Sequence, residues 1–148
     1  MPFGVKASLV VVVILAIIFW AVGRTRWWRS PSPSAPEGKR FVLRSDQIKP
    51  LATGRGGCIA SDLITVEGKK VGYMYREKPD NDSDSGWRFF SGLESQEYTD
   101  TPSNFSPYDV NTVANYDHDI IAFLDAPVGS AFERASQSSK LQAIPAGK

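Results

Sequence analysis

The chain has 148 residues and a formal net charge of +1 at pH 7, and this length predicts one domain. Its single cysteine, Cys58, excludes an intramolecular disulfide and a CxxC metal motif, and we expect it to be a small buried apolar residue. Residues 41–134 contain 9 Lys or Arg and 15 Asp or Glu, a balance of −6. An acidic domain of this kind disfavours nucleic acid and favours a basic partner, although the same charge can serve solubility alone.

A single transmembrane helix is predicted at residues 7–23, ASLVVVVILAIIFWAVG, after a short tail at residues 1–6. As a helix this uncharged run would be about 26 Å long, close to the ~30 Å hydrocarbon core of a bilayer. Arg24, Arg26 and Arg29 follow the run and argue against the alternative, a cleaved signal peptide. By the positive-inside rule they favour an inner-membrane protein with a cytoplasmic domain, and a periplasmic domain is the alternative.

Three further regions follow the apolar run. Residues 24–40 are a basic linker rich in Pro and Ser, a composition that favours extended polyproline geometry. An α+β domain is predicted over residues 41–134. The Ser, Gln, Ala and Gly content of residues 135–148 predicts a disordered tail.

Two aromatic runs flank an acidic turn at the centre of this domain. Residues 71–76 and residues 87–90 are rich in aromatic side chains, which fit the pleated, half-buried surface of a strand. Between them, residues 78–86, KPDNDSDSG, contain residues that favour turns. The pattern predicts a β-hairpin with an exposed acidic loop.

Strands are also predicted at residues 58–60, after a glycine-rich turn, at residues 61–66 and within residues 128–134. The strand at 61–66 is expected to extend the hairpin into a three-stranded meander. Another short apolar segment lies at residues 120–124.

One helix has a clear start signal, because Asp109 can cap a helix that places Val110, Val113 and Ala114 on one face. Together the elements predict the α+β class: a small, mostly antiparallel sheet with one or two short helices, preceded by the transmembrane helix.

Asp80, Asp82 and Asp84 alternate along the loop as carboxylates do in a calcium loop. If Asp80 is the first ligand, the glycine comes one position late, and Ser91 stands where a bidentate glutamate is required. The pattern therefore favours a solvated acidic loop, and neither a metal nor a cofactor is predicted.

His118 is the single histidine and lies between two aspartates. Flanking carboxylates could make it a general base, so a membrane-anchored hydrolase that uses His118 is one alternative function. The sequence offers no nucleophile or metal beside it, which favours an exposed histidine at a helix end. An envelope scaffold without a toxin partner is a third hypothesis.

The domain has more aromatic residues than one small core requires, and aromatic residues with Arg are typical of interface centres. We therefore predict a partner-binding surface. Its residues are Tyr75, Trp87 and Arg88, which are expected to be exposed, and Asp80, Asp82 and Asp84, which would steer a basic partner.

Four segments are similar to a known family. They are KVGYMYRE, DSGWRFFSG, NTVANYD and DAPVGSAFER, and the similarity covers about residues 57–134. The chain resembles the bacterial domain called immunity protein family thirty-three, which is associated with polymorphic toxin systems. The resemblance implies that the protein neutralises a cognate toxin by stoichiometric binding, without a catalytic set. We expect such a toxin to be basic.

Overall fold

A computed structural model describes residues 38–145 of the chain. The chain divides into two compact units. The described part of the first unit consists of residues 38–39 and 95–102, and that of the second consists of residues 40–94 and 103–145.

The second unit contains one six-stranded sheet. Its strands are β1 (Gly57–Ser61), β2 (Tyr73–Arg76), β3 (Asp84–Phe90), β4 (Phe105–Asp109), β5 (Ala131–Glu133) and β6 (Gln142–Ala143). The spatial order is β4-β1-β3-β2-β5-β6. β1 and β3 run parallel, and the other neighbours run antiparallel.

Three short α-helices accompany the sheet in the described part of the chain, where one or two were predicted. They are α1 (Asp62–Thr65), α2 (Gln96–Thr99) and α3 (Val110–Tyr116), and 3-10 helices occur at Ser45–Gln47, Pro102–Asn104 and His118–Phe123. The α+β class is confirmed. The sheet is mixed, where a mostly antiparallel sheet was predicted, because β3 lies between β2 and β1 and pairs in parallel with β1.

The strand predicted at residues 61–66 is wrong beyond Ser61. The Ser61 hydroxyl accepts a hydrogen bond from the Leu63 N–H at 3.3 Å and thereby caps α1, as serine commonly does at a helix start. Ile64 and Thr65, which favour a strand by composition, are buried on this helix instead. The predicted meander therefore reduces to the β2–β3 hairpin, and the third strand is the parallel β1.

The hydrophobic core includes alternate residues of the central strands, such as Cys58, Met74 and Phe89. The predicted face of α3, formed by Val110, Val113 and Ala114, belongs to the same cluster. The helix begins as predicted, because the Asp109 carboxylate accepts a hydrogen bond from the Asn111 N–H at 2.8 Å. Cys58 is fully buried as predicted, and this burial raises the pKa of its thiol.

The first unit includes α2. Ser95 caps this helix by accepting a hydrogen bond from the Tyr98 N–H at 3.1 Å. The Thr99 hydroxyl donates to the Ser95 carbonyl at 2.9 Å, so the single turn is closed by its own side chains.

The C-terminal region of the chain differs from the predicted domain organisation. Residues 135–145 do not form the predicted disordered tail, because Leu141 is buried in the core and Gln142–Ala143 pair with β5. The transmembrane helix predicted at residues 7–23 lies outside the described residues. Within residues 38–145, no helix is long and apolar enough to cross a membrane.

Candidate partner-binding site

The loop between β2 and β3 is closed by backbone and carboxylate hydrogen bonds. The Glu77 N–H donates to the Gly86 carbonyl at 2.9 Å, and Gly86 adopts a φ of 81°, which glycine tolerates best. Asp84 accepts hydrogen bonds from the Asp80 N–H at 3.0 Å and from the Gly86 N–H at 2.9 Å. One carboxylate therefore fixes both sides of the loop.

Arg88 lies beneath this loop and is almost completely buried, with 1% of its side chain exposed. Its two Nη atoms donate to the two Asp84 oxygens at 2.9 Å each. Its Nε donates to Glu77 Oε1 at 2.7 Å, and Asp80 Oδ2 lies 3.9 Å from Nη2. Arg88 also donates to the Trp87 carbonyl at 2.9 Å. Three carboxylates thus surround one guanidinium.

The pKa values in this cluster follow from burial and charge together. Burial disfavours the charged form of Arg88, but Asp84 and Glu77 outweigh burial and raise its pKa. Burial also opposes ionisation of Asp84, yet hydrogen bonds from Arg88 and from the backbone hold its pKa below the usual range. For Glu77 the balance is reversed, because desolvation exceeds the attraction of Arg88 and raises its pKa.

Arg76 connects two loops that lie at the same end of the sheet, the acidic loop and the loop that precedes β5. Arg76 donates from Nε to the Ser85 carbonyl at 3.0 Å and from Nη1 to the Ala126 carbonyl at 2.8 Å. Its guanidinium also lies 5.7 Å from the centroid of the Trp87 ring, within the range of a cation–π contact. Arg76 therefore ties the acidic loop to the loop that precedes β5.

The six predicted site residues differ in exposure, and Tyr75 is intermediate. Asp80 and Asp82 are exposed on the loop, whereas Asp84, Trp87 and Arg88 are buried. The predicted exposure of Trp87 and Arg88 is therefore wrong. Trp87 packs in the core and donates from Nε1 to the Leu124 carbonyl at 3.3 Å.

Tyr75 is partly buried and lies opposite Arg88 in the β2–β3 register. Its ring stacks on Phe90, with centroids 6.1 Å apart and an interplanar angle of 13°. The hydroxyl is buried and has no hydrogen-bond partner in the described part of the chain. Burial, followed by the charge of Glu77, raises the pKa of Tyr75.

A second buried arginine was not singled out by the sequence. Arg134 donates to Asp117 Oδ2 at 2.7 Å and to Asp119 Oδ2 at 3.1 Å, and it also binds the Val71 carbonyl at 2.6 Å. His118 between the two aspartates is exposed, as the sequence favoured. The available signal was the pair of acids two residues apart, Asp117 and Asp119, but sequence alone does not identify their distant partner.

The same described region contains no group of three or more His, Cys, Asp or Glu side chains arranged to hold a metal ion. Asp84, one of the three alternating aspartates, is fully engaged by Arg88 and by backbone N–H groups. What the loop presents outward is the negative charge of Asp80 and Asp82 beside the positive charge of Lys78, and all three residues are exposed.

The fold and this geometry define a small α+β domain that carries a hydrogen-bonded acidic loop on a buried arginine. A family model described as the Immunity protein Imm33 domain matches residues 58–144, more than half of the chain. The chain belongs to the Imm33 family of immunity proteins. No curated protein and no solved structure matches it.

Proposed function

We propose that this protein neutralises a bacterial toxin by binding it in fixed stoichiometry and covering its active site or membrane-inserting surface. Membership of the Imm33 family supports a toxin partner, because an immunity domain implies a cognate toxin. We further propose that residues 7–23 anchor the protein in the inner membrane with the domain on the cytoplasmic side. Neutralisation then takes place where the toxin reaches the membrane.

The acidic loop is the observation that supports this mode of binding. Asp80 and Asp82 are exposed, while Asp84 and Arg88 hold the loop from below. A loop fixed before binding loses less conformational entropy when the complex forms. Exposed charge of one sign also speeds encounter with a partner of opposite charge.

The second arginine cluster favours binding over catalysis. In a triad arrangement, a carboxylate orients the histidine that acts as general base. Asp117 and Asp119 instead bind Arg134, and Asp119 also lies 3.7 Å from Lys70 Nζ. Both neighbours of His118 thus have structural partners.

The proposal is tested by a pull-down from native cells with the tagged full chain as bait in mild detergent. A captured protein is then expressed in a sensitive host with and without this chain. We expect one dominant basic protein that is bound in fixed stoichiometry, is toxic alone and is harmless beside the chain. A captured protein that remains equally toxic in the presence of this chain would contradict the proposal.

A further inference from the structure

The cluster around Arg88 contains more negative than positive charge. Three carboxylates face one guanidinium, and they differ in solvent access: the Asp84 side chain is 0% exposed, Glu77 is 23% exposed and Asp80 is 39% exposed. Asp84 uses both oxygens on Arg88. The surplus charge therefore lies on the two carboxylates that reach solvent.

Arg88 cannot balance this surplus. Its Nε is used by Glu77, and its Nη atoms are used by Asp84 and by the Trp87 carbonyl. Asp80, at 3.9 Å from Nη2, is beyond hydrogen-bond distance of it. Asp80 and the second oxygen of Glu77 can thus accept hydrogen bonds from another cation.

An unpaired hydroxyl adjoins the same cluster. Tyr75 pairs with Arg88 across the hairpin, and Glu77 follows Tyr75 by two residues, which along an extended chain places both side chains on one face. The charges of Glu77 and Arg88 both act on the Tyr75 phenol. Its buried Oη has no partner within residues 38–145, and a buried hydroxyl without a hydrogen bond is unfavourable. A bound donor group would remove that penalty.

We propose that Glu77, Asp80 and Tyr75 form the binding site for one cationic side chain of the toxin, and that this side chain is an arginine. The inference rests on the proposed function, because it names the group of the partner that the acidic loop receives. A guanidinium has five N–H donors in a planar fork, enough for two carboxylates and a phenol oxygen. A lysine ammonium has three donors and lacks the planar geometry.

The first experiment uses a small probe, so that it does not depend on the identity of the toxin. The full chain in a zwitterionic detergent, with 13C-labelled tyrosine, is titrated with Nα-acetyl-L-arginine amide and followed by NMR, and Tyr75→Phe assigns the Tyr75 signal. The citrulline analogue, which has nearly the same shape without the charge, is the control ligand. We expect a saturable shift of Tyr75 at about 1 mM, typical of a single weak contact, and no shift with citrulline. No saturation, or equal shifts with both compounds, would overturn the proposal.

Four substitutions distinguish a specific arginine site from a general effect of the acidic charge. Asp80→Asn and Glu77→Gln are expected to weaken arginine-amide binding about tenfold, because each removes a charged acceptor. Asp82→Asn changes an exposed aspartate of the same loop and should weaken binding much less than Asp80→Asn does, because Asp82 contributes to the field of the loop but lies outside the site. Tyr75→Phe should weaken binding about threefold to tenfold without lowering the melting temperature, since the hydroxyl that it removes is unpaired. Equal effects of Asp82→Asn and Asp80→Asn would show a diffuse field and no specific site.

The second experiment repeats these variants with the toxin identified by the protection assay. If the wild-type chain binds the toxin but Asp80→Asn and Glu77→Gln bind it as tightly as Asp82→Asn does, the arginine site is wrong and the proposed function stands. If the wild-type chain binds no toxin, the proposed function is wrong, and the arginine-amide titration still decides whether the site exists.

Discussion

Asp84 and Arg88 form a bidentate ion pair inside the protein, with both N–O distances at 2.9 Å and at most 1% of either side chain exposed. The pair joins the start of β3 to its middle, and Asp84 also closes the loop above it. This carboxylate therefore links the stability of the domain to the shape of the acidic loop.

Asp84→Asn should destabilise the domain by about 3–5 kcal/mol at pH 7, because it leaves a buried guanidinium short of a charge partner. The pKa of Asp84 is lowered in the folded state. Its stabilising contribution is thus present above the unfolded value of about 3.9 and is lost as the pH falls through the lowered folded value. Urea denaturation from pH 7 to pH 2 should show the difference from wild type shrinking below about pH 4, in the range of the unfolded carboxyl pKa. The exposed variant Asp82→Asn should show no such trend, and a pH-independent difference for Asp84→Asn would contradict this role.

Gly86→Ala should destabilise the hairpin far more than Gly54→Ala. Both glycines have positive φ, at 81° and 74°, so both variants incur a backbone penalty of roughly 1–2 kcal/mol. A Cβ at Gly86 would in addition collide with the Glu77 carbonyl oxygen, whereas nothing lies within 4 Å of a Cβ at Gly54. The difference between the melting temperatures of the two variants measures the destabilisation that the steric clash alone causes. Equal melting temperatures would mean that the loop can shift to admit the extra atom.

Asn111→Ala should destabilise the domain by about 1–3 kcal/mol, because Asn111 holds the segment before β1 on α3. Its Oδ1 accepts hydrogen bonds from the N–H groups of Leu51 and Ala52 at 2.8 Å each, and its Nδ2 donates to the Lys49 carbonyl at 2.9 Å. The substitution leaves the buried Ala52 N–H unpaired, whereas the Leu51 N–H keeps a hydrogen bond to the Lys49 carbonyl at 3.0 Å. Asn115→Ala is the matched control, because Asn115 also binds Lys49 but in an exposed position. Comparable losses in chemical denaturation would argue against the special role of Asn111.

His118→Ala should leave toxin protection unchanged, because His118 is exposed and its neighbours bind Arg134. The measurement is survival of a sensitive host that expresses the toxin together with either form of the chain. A loss of protection at equal protein level would restore the hydrolase hypothesis.

Short sequence patterns correctly predicted two elements that depend mainly on neighbouring residues, the β2–β3 hairpin and the start of α3. The β2–β3 hairpin follows from turn-forming residues between aromatic runs, and α3 begins at Asp109 because an aspartate there can cap it. The mixed topology could not be predicted in this way. The pairing of β1 with β3 joins residues far apart in sequence, such as Ile59 and Arg88, and no short-range pattern specifies that register.

The wrong prediction that Trp87 and Arg88 are exposed has a related physical cause. Alternation predicts one exposed face for a strand at the surface, but every residue of β3 is buried, as is common for a strand covered on both faces. A sequence spacing of Asp84 to Arg88 is compatible with an exposed pair as well as a buried one. Arg88 can be buried because Glu77 and Asp80 lie beside it from the other side of the turn. These contacts depend on the folded structure and cannot be predicted from the spacing of residues in the sequence.

Binding through the acidic loop is tested most directly by the association rate of the full chain with its toxin, measured by stopped flow as a function of salt concentration. The double variant Asp80→Lys and Asp82→Lys reverses the two exposed negative charges of the loop and leaves Asp84 on Arg88. The control variant Glu67→Lys and Glu97→Lys makes the same charge change at exposed positions elsewhere. We predict that the loop variant associates at least tenfold more slowly at low salt and that the difference narrows as salt screens the charges. Equal rates for the loop variant and the control at every salt concentration would contradict binding through the acidic loop.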